Sequence, residues 1–233
     1  MKKVVSAFLF LSSVLAFADS KVDQDLKVYD EHVQTLKDDF SKIPEEPSNK
    51  EWIKLKLQHM VDVDQYMRSY GNVVYDHNYT DAEKEYFWKQ FFIRWSAVDT
   101  RNTNELKVIL LKFDWITVSD FGVQADRNAW LLVQHADHDP QFQSDVLKKL
   151  EPLCPKGETN PANYAYLYDR VAASWNDTSK QKPQRYGTQG TCVGPGKWEP
   201  IPIEDPDKVD ERRASVGLGP LSEYIAGFKD ICK

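Results

Sequence analysis

Apolar side chains recur three and four residues apart along most of the chain, the spacing that lines one face of an α-helix. Leu26, Tyr29, Val33, Leu36 and Phe40 mark a first amphipathic helix, and Pro44 and Pro47 end it because proline cannot continue the hydrogen-bond ladder. A second helix is predicted over residues 50–70, with Trp52, Leu55, His59, Val63, Met67 and Tyr70 on one side and Gly71-Asn72 as its stop. Thr80 and Glu83 have the spacing of a capping box, opening a helix whose stripe of Phe87, Trp88, Phe91, Phe92, Trp95 and Val98 reads as core packing. The period then lapses, and a separate shorter helix is expected over residues 103–113. Further helices are predicted over residues 123–136, 140–153 and 161–175, the last two each announced by an N-cap residue followed by proline, Asp139-Pro140 and Asn160-Pro161. Between residues 185 and 203 the texture turns extended around Gly194-Pro195-Gly196, a hairpin signal. A short helix after Asp205-Pro206, stopped by Gly217, and a final one over residues 221–231 complete the chain. The expected fold is mainly α: a single multi-helix domain over residues 19–233 with a small β-hairpin on its C-terminal side.

The first eighteen residues stand apart. Lys2 and Lys3 precede an apolar stretch from Val4 to Ala18, and Ala16-Phe17-Ala18 puts small residues at the cleavage positions of a signal peptide. An uncleaved anchor is the alternative, but the run is Ser-interrupted and shorter than the roughly 20 residues a span needs. A periplasmic or secreted protein is therefore expected, with no membrane attachment after cleavage. Acidic residues outnumber basic ones 36 to 30, and loss of Lys2 and Lys3 with the leader widens that gap. Nucleic acid is thus a poor partner, since phosphate binding needs a cationic footprint.

Cys154, Cys192 and Cys232 all follow the leader, and in an oxidising compartment two of them should pair. Spacing does not dictate which. Cys154 and Cys232 each follow a predicted helix near a loop end, which favours that pair. No C-x-x-C or C-x-x-H grouping suggests a metal among them. Gly-rich phosphate loops and G-x-S-x-G elbows are also missing, so no cofactor is expected.

Three polar groupings interrupt this apolar framework. The densest is residues 134–139, where His135 and Asp137 could be an imidazole with its orienting carboxylate, or part of a metal site with His138. The plainer reading is a helix cap at Asp139, a solvated Asp137 and a hydrogen-bonded core His135, and it is preferred over a metal because caps are common and ligand sets rare. Asp169-Arg170 lies inside an otherwise apolar helix. Asp169 could pair with Arg127 or Arg185, and Arg170 with Asp137 or Asp139, or Arg170 could present its fork to an anionic ligand. Tyr186-Gly187-Thr188-Gln189 offers hydroxyl and amide groups beside a glycine, and is otherwise a strand entering the hairpin. Arg213 closes a polar run, residues 210–213, in which one arginine could turn inward.

Taken in order, residues 130–137, 142–143, 166–171, 186–189, 200–206 and 209–218 resemble a bacterial family catalogued as domain of unknown function six-six-two-four. Asp64-Gln65 with Arg68, Asp99 with Asn102, and Trp115 fit the same pattern, so the resemblance covers about residues 55–228. It transfers no activity. It implies that His135, Asp137, Asp169, Arg170, Tyr186, Gly187, Thr188, Gln189 and Arg213 belong together, and His138 and Asp139 are less typical of the pattern. Two readings follow. In one, His135 is a general acid/base oriented by Asp137, while Asp169, Arg170, Tyr186, Thr188, Gln189 and Arg213 line a pocket for a small molecule, with hydrolysis the simplest chemistry. In the other, the same residues form a buried network in a structural or interaction module.

Overall fold

The computed structural model describes residues 20–232, and the leader-like segment 1–18 lies outside them. The helices run α1 Lys21–Ser41, α2 Lys50–Tyr70, α3 Val73–Asp76, α4 Asp81–Phe113, α5 Val118–Phe121, α6 Val123–Gln134, α7 Pro140–Leu150 and α8 Pro161–Ala173. A hairpin of β1 Gly190–Gly194 and β2 Lys197–Pro200 follows, then α9 Val209–Ser215 and α10 Leu221–Ala226. The mainly helical architecture with a two-stranded antiparallel sheet near its end agrees with the sequence pattern.

Caps set the helix starts. Asn49 accepts from the Glu51 amide, Asp139 from Phe142 and Asn160 from Ala162, each relieving an orphan N–H of the first turn. Thr80 and Glu83 close the expected box reciprocally.

Some boundaries differ from expectation. Residues 81–113 form one continuous helix, not two. Two members of the polar run that hides the apolar period over residues 99–104 find partners on α2: Asp99 pairs with Arg68, and the Asn102 amide donates to the Met60 carbonyl at 3.3 Å. No proline or glycine intervenes, so nothing breaks the ladder. The last helix is also shorter than predicted, ending at Ala226 and continuing as turns.

Two apolar clusters flank the long helices. Ile53, Leu57 and Met60 of α2 meet Leu106 and Leu110 of α4, Leu132 and Val133 of α6, Leu150 of α7 and Leu167 of α8. On the other side α1 supplies Val22, Leu26, Tyr29 and Val33 against Val63 and Met67 of α2 and Phe87, Phe91 and Val98 of α4. Phe87 and Phe91 stack at 5.1 Å, and Tyr29 meets Phe91 edge-on at 5.2 Å.

The disulfide joins Cys192 of β1 to Cys232, leaving Cys154 free and half-buried, so the Cys154–Cys232 preference is corrected. The physical reason is aromatic. Trp198 lies opposite Cys192 in the hairpin register and stacks on Phe228 at 4.6 Å, which draws the C-terminal turn against β1. Cys154 instead sits in a 3₁₀ turn just after α7, Cys154–Lys156.

Candidate functional site

His135 is the first residue beyond α6, and its ring turns back toward α2. Nδ1 lies 2.9 Å from both carboxylate oxygens of Asp64 and 2.9 Å from Nε of Arg68. A guanidinium N–H only donates and a carboxylate only accepts. The Nδ1 proton is therefore assigned to Asp64, and Arg68 Nε–H turns to the same carboxylate at 3.2 and 3.3 Å. Arg68 also donates from Nη2 to Asp99 at 2.8 Å and lies over the Trp95 ring at 4.7 Å. Nε2 of His135 has no hydrogen-bond partner among the described residues, and the side chain keeps 19% of its exposure while that of Asp64 keeps 1%.

Asp64, not Asp137, is thus the carboxylate that orients His135. Asp137 lies beyond the turn that ends α6 and points to α8, where it takes Nε of Arg170 at 2.9 Å and a second, shorter contact from Nη2. Gln143 of α7 steadies it with a 3.1 Å bond. The other edge of Arg170 donates from Nη1 to Gln189 Oε1 at 3.1 Å, an oxygen that Trp175 Nε1 also reaches at 3.2 Å. Of the two carboxylates considered for Arg170, the pairing falls to Asp137. Asp139 caps α7 and pairs with Lys107.

Behind this row, Asp169 is buried and pairs with neither Arg127 nor a guanidinium of Arg185. It accepts backbone N–H bonds from Arg185 at 2.8 Å, Tyr186 at 3.1 Å and Thr188 at 2.9 Å, and the Thr188 hydroxyl at 2.9 Å. Gly187 makes the convergence possible: its φ of +70° lies in the left-handed region, and a Cβ there would come within 2.8 Å of Leu221. Arg213 is equally internal, donating to the carbonyls of Tyr186 at 2.6 Å and Gly219 at 2.7 Å. The Gln189 amide links the two layers by donating to the Thr188 hydroxyl at 3.3 Å. A cleft of about 930 Å³ runs beside α8, but its walls include Tyr168 and Val171 and none of the site residues just described.

The carboxyls feel this setting differently. Burial pushes Asp64 up, but the hydrogen bond and charge of His135 together with Arg68 outweigh it and hold the group below its ordinary range. Asp99 is raised, by burial first and by the charge of Asp64, against the opposing pull of Arg68. Asp169 is raised by burial despite its four donors. A depressed carboxyl lends stability that is present above its unfolded pKa and is lost as pH falls through its folded one. The stability advantage of the native protein over Asp64→Asn should therefore be full above about pH 5 and shrink steadily below about pH 4. Urea unfolding at a series of pH values reads this difference; a gap that stays constant to pH 3 would contradict the ionic pairing.

A family model described as a family of unknown function, DUF6624, matches residues 53–232. The chain belongs to this family. No curated protein and no solved structure matches it. All nine residues that the resemblance groups together fall inside the DUF6624 span, as do Asp64, Arg68 and Asp99, whereas α1 lies before it.

Spacing alone missed Asp64 as the partner of His135, 71 positions away. The signal that could have found it is local. Asp64 sits on α2 between buried Val63 and Met67, where an unpaired charge would cost several kcal/mol. Such a residue must have a partner elsewhere.

Proposed function

We propose that the junction of α2, α4 and α6 is an acid–base site for a small anionic or amide-bearing molecule, in a protein that works outside the cytoplasm. The observation that carries this reading is the buried Asp64 carboxylate gripping Nδ1 of His135 while Nε2 remains without a protein partner among the described residues. That arrangement fixes one tautomer and leaves an acceptor able to take a proton from water, the role a general base needs near neutral pH. Arg68, paired with Asp64 and Asp99, lies against the ring, while the partly exposed Arg170, paired with Asp137, holds the Gln189 that follows the loop bound by Asp169. Hydrolysis is the reaction class that asks least of such a set: Nε2 accepts the proton as water attacks, then returns it to the leaving group. The leader-like N-terminus and the Cys192–Cys232 disulfide both favour an oxidising compartment.

A second reading has its own support. Arg170 already spends both edges of its guanidinium on Asp137 and Gln189, as expected of a network that only fixes helix packing. A thermal-shift screen of the protein against small carboxylates, phosphates, amides and peptidoglycan fragments separates the two. The proposal expects a ligand that raises the melting temperature of the native protein and fails to do so for His135→Asn, whose own melting temperature stays within about 3 °C of the native value. If His135→Asn instead melts about 10 °C lower and no compound shifts the native protein, the network reading stands.

A further inference from the structure

A second constellation lies where α2 faces α1. Lys37 of α1, Lys56 and His59 of α2 and Arg101 of α4 line a cavity of about 230 Å³ in which Glu105 is the one acidic wall residue. Glu105 is committed to Lys56 at 2.5 Å. Lys37 and Arg101 have no hydrogen-bonded or ion-paired partner among the described residues. Asp30, whose charge Lys37 feels, is held by Arg94 through two bonds of 2.8 and 2.6 Å. Positive charge outnumbers negative along the cavity wall, and the groups feel it: burial and then Arg101 pull Lys37 down against Asp30, while burial, Lys56 and Arg101 pull His59 down against the smaller upward pull of Glu105 and Asp62. Like charges held together at a half-buried site are costly until an anion joins them.

This cavity adjoins an apolar groove of about 630 Å³. Phe40, Ser41, Lys56 and Glu105 line both, and the groove continues past Ile43, Trp52 and Val108. Phe40, part of both walls, stacks on His59 at 4.5 Å. In the groove wall, the indole N–H of Trp52 is buried with no acceptor among the described residues, and Val108 is 67% exposed. The volume lies in the range of small-ligand sites. Lys37 and Phe40 belong to α1, so this recess is completed by a helix outside the DUF6624 span.

We propose that the recess between α1, α2 and α4 binds an anionic amphiphile, its carboxylate or phosphate head among Lys37, His59 and Arg101 and its apolar body along Trp52 and Val108. The basic pocket alone would accept any small anion and the groove alone any oily surface. Their shared wall selects a molecule carrying both. The site is separate from the His135 junction and does not depend on its chemistry.

Titration calorimetry of the whole protein with octyl phosphate and octanoate, below their micelle concentrations, tests this against inorganic phosphate and the neutral octyl glucoside. One saturable site is expected for at least one of the two anionic amphiphiles, at least about tenfold tighter than for either comparison compound. Whichever of the two binds more tightly identifies the head as phosphate or carboxylate. Lys37→Gln and Arg101→Gln, on different helices, should each weaken that binding about tenfold, and Arg101→Lys should restore part of it. Val108→Glu should weaken it as well, by placing a like charge along the tail. Absence of saturable binding would overturn the proposal. So would equal affinity for inorganic phosphate or octyl glucoside, or an affinity untouched by both charge-removing variants while circular dichroism shows them folded.

Discussion

Replacing Asp169 by alanine should lower the stability of the protein by about 3–5 kcal/mol, the range for stripping the partner from a buried charged network. The carboxylate is fully buried and takes four donors from residues 185, 186 and 188. Its removal strands three backbone N–H groups and a hydroxyl in the interior, each costing about 1–3 kcal/mol before any relaxation or water entry. Asp169→Asn keeps the shape and one acceptor oxygen but turns an NH₂ toward converging N–H groups, so it should recover only part of the loss. Urea unfolding of the three proteins, with midpoint and slope compared, provides the reading. A loss below about 1 kcal/mol for the alanine variant would mean that the loop finds other acceptors and that Asp169 does not organise it. The same change should disturb Arg170, because Gln189 reaches it from the end of that loop.

The second large effect concerns the disulfide. Cys192 and Cys232 are 40 positions apart, and closing a loop of that length restricts the unfolded chain by about 4 kcal/mol in the chain-entropy account. Reduction should lower the melting temperature by roughly 10 °C, since each kcal/mol is worth about 2–4 °C in a domain of this size. The comparison belongs in a Cys154→Ser background, so that the remaining thiol cannot exchange with the bridge. Part of the C-terminal contact should survive, because Trp198 stacks on Phe228 and meets Tyr224 edge-on independently of the sulfurs. Hydrogen exchange should accelerate first over residues 221–232. An unchanged melting temperature on full reduction would show that these rings alone hold the tail.

Where a local rule governs structure, the chain could be read directly. The starts of α4, α7 and α8 follow from Thr80, Asp139 and Asn160, because a cap is chemistry confined to four consecutive residues. The continuity of α4 was hidden for the opposite reason: its polar middle is stabilised by Arg68 and Met60 of another helix, and no spacing within α4 reveals them. The candidate site divides in the same way. Arg170 with Asp137 was within reach, since a guanidinium inside an apolar helix needs a carboxylate and a cluster of them stood at one turn. Asp64, Arg68 and Asp99 surfaced only through the family pattern. The cysteine pairing failed because it was weighed on helix ends, whereas the ring of Trp198 decides which thiol the C-terminus meets.

Helices α2 and α4 each give one stretch to the cluster under α6 and another to the cluster under α1. Neither cluster can lose its order without loosening a rod that the other also needs, so heating should yield a single calorimetric endotherm. By the same coupling, a fragment trimmed to the DUF6624 boundary at residue 53 would bare Met67, Phe87 and Phe91 where Val22, Leu26 and Tyr29 now cover them. Such a piece would be prone to self-association. Recombinant work on the family portion of this chain therefore has to carry the preceding helix along.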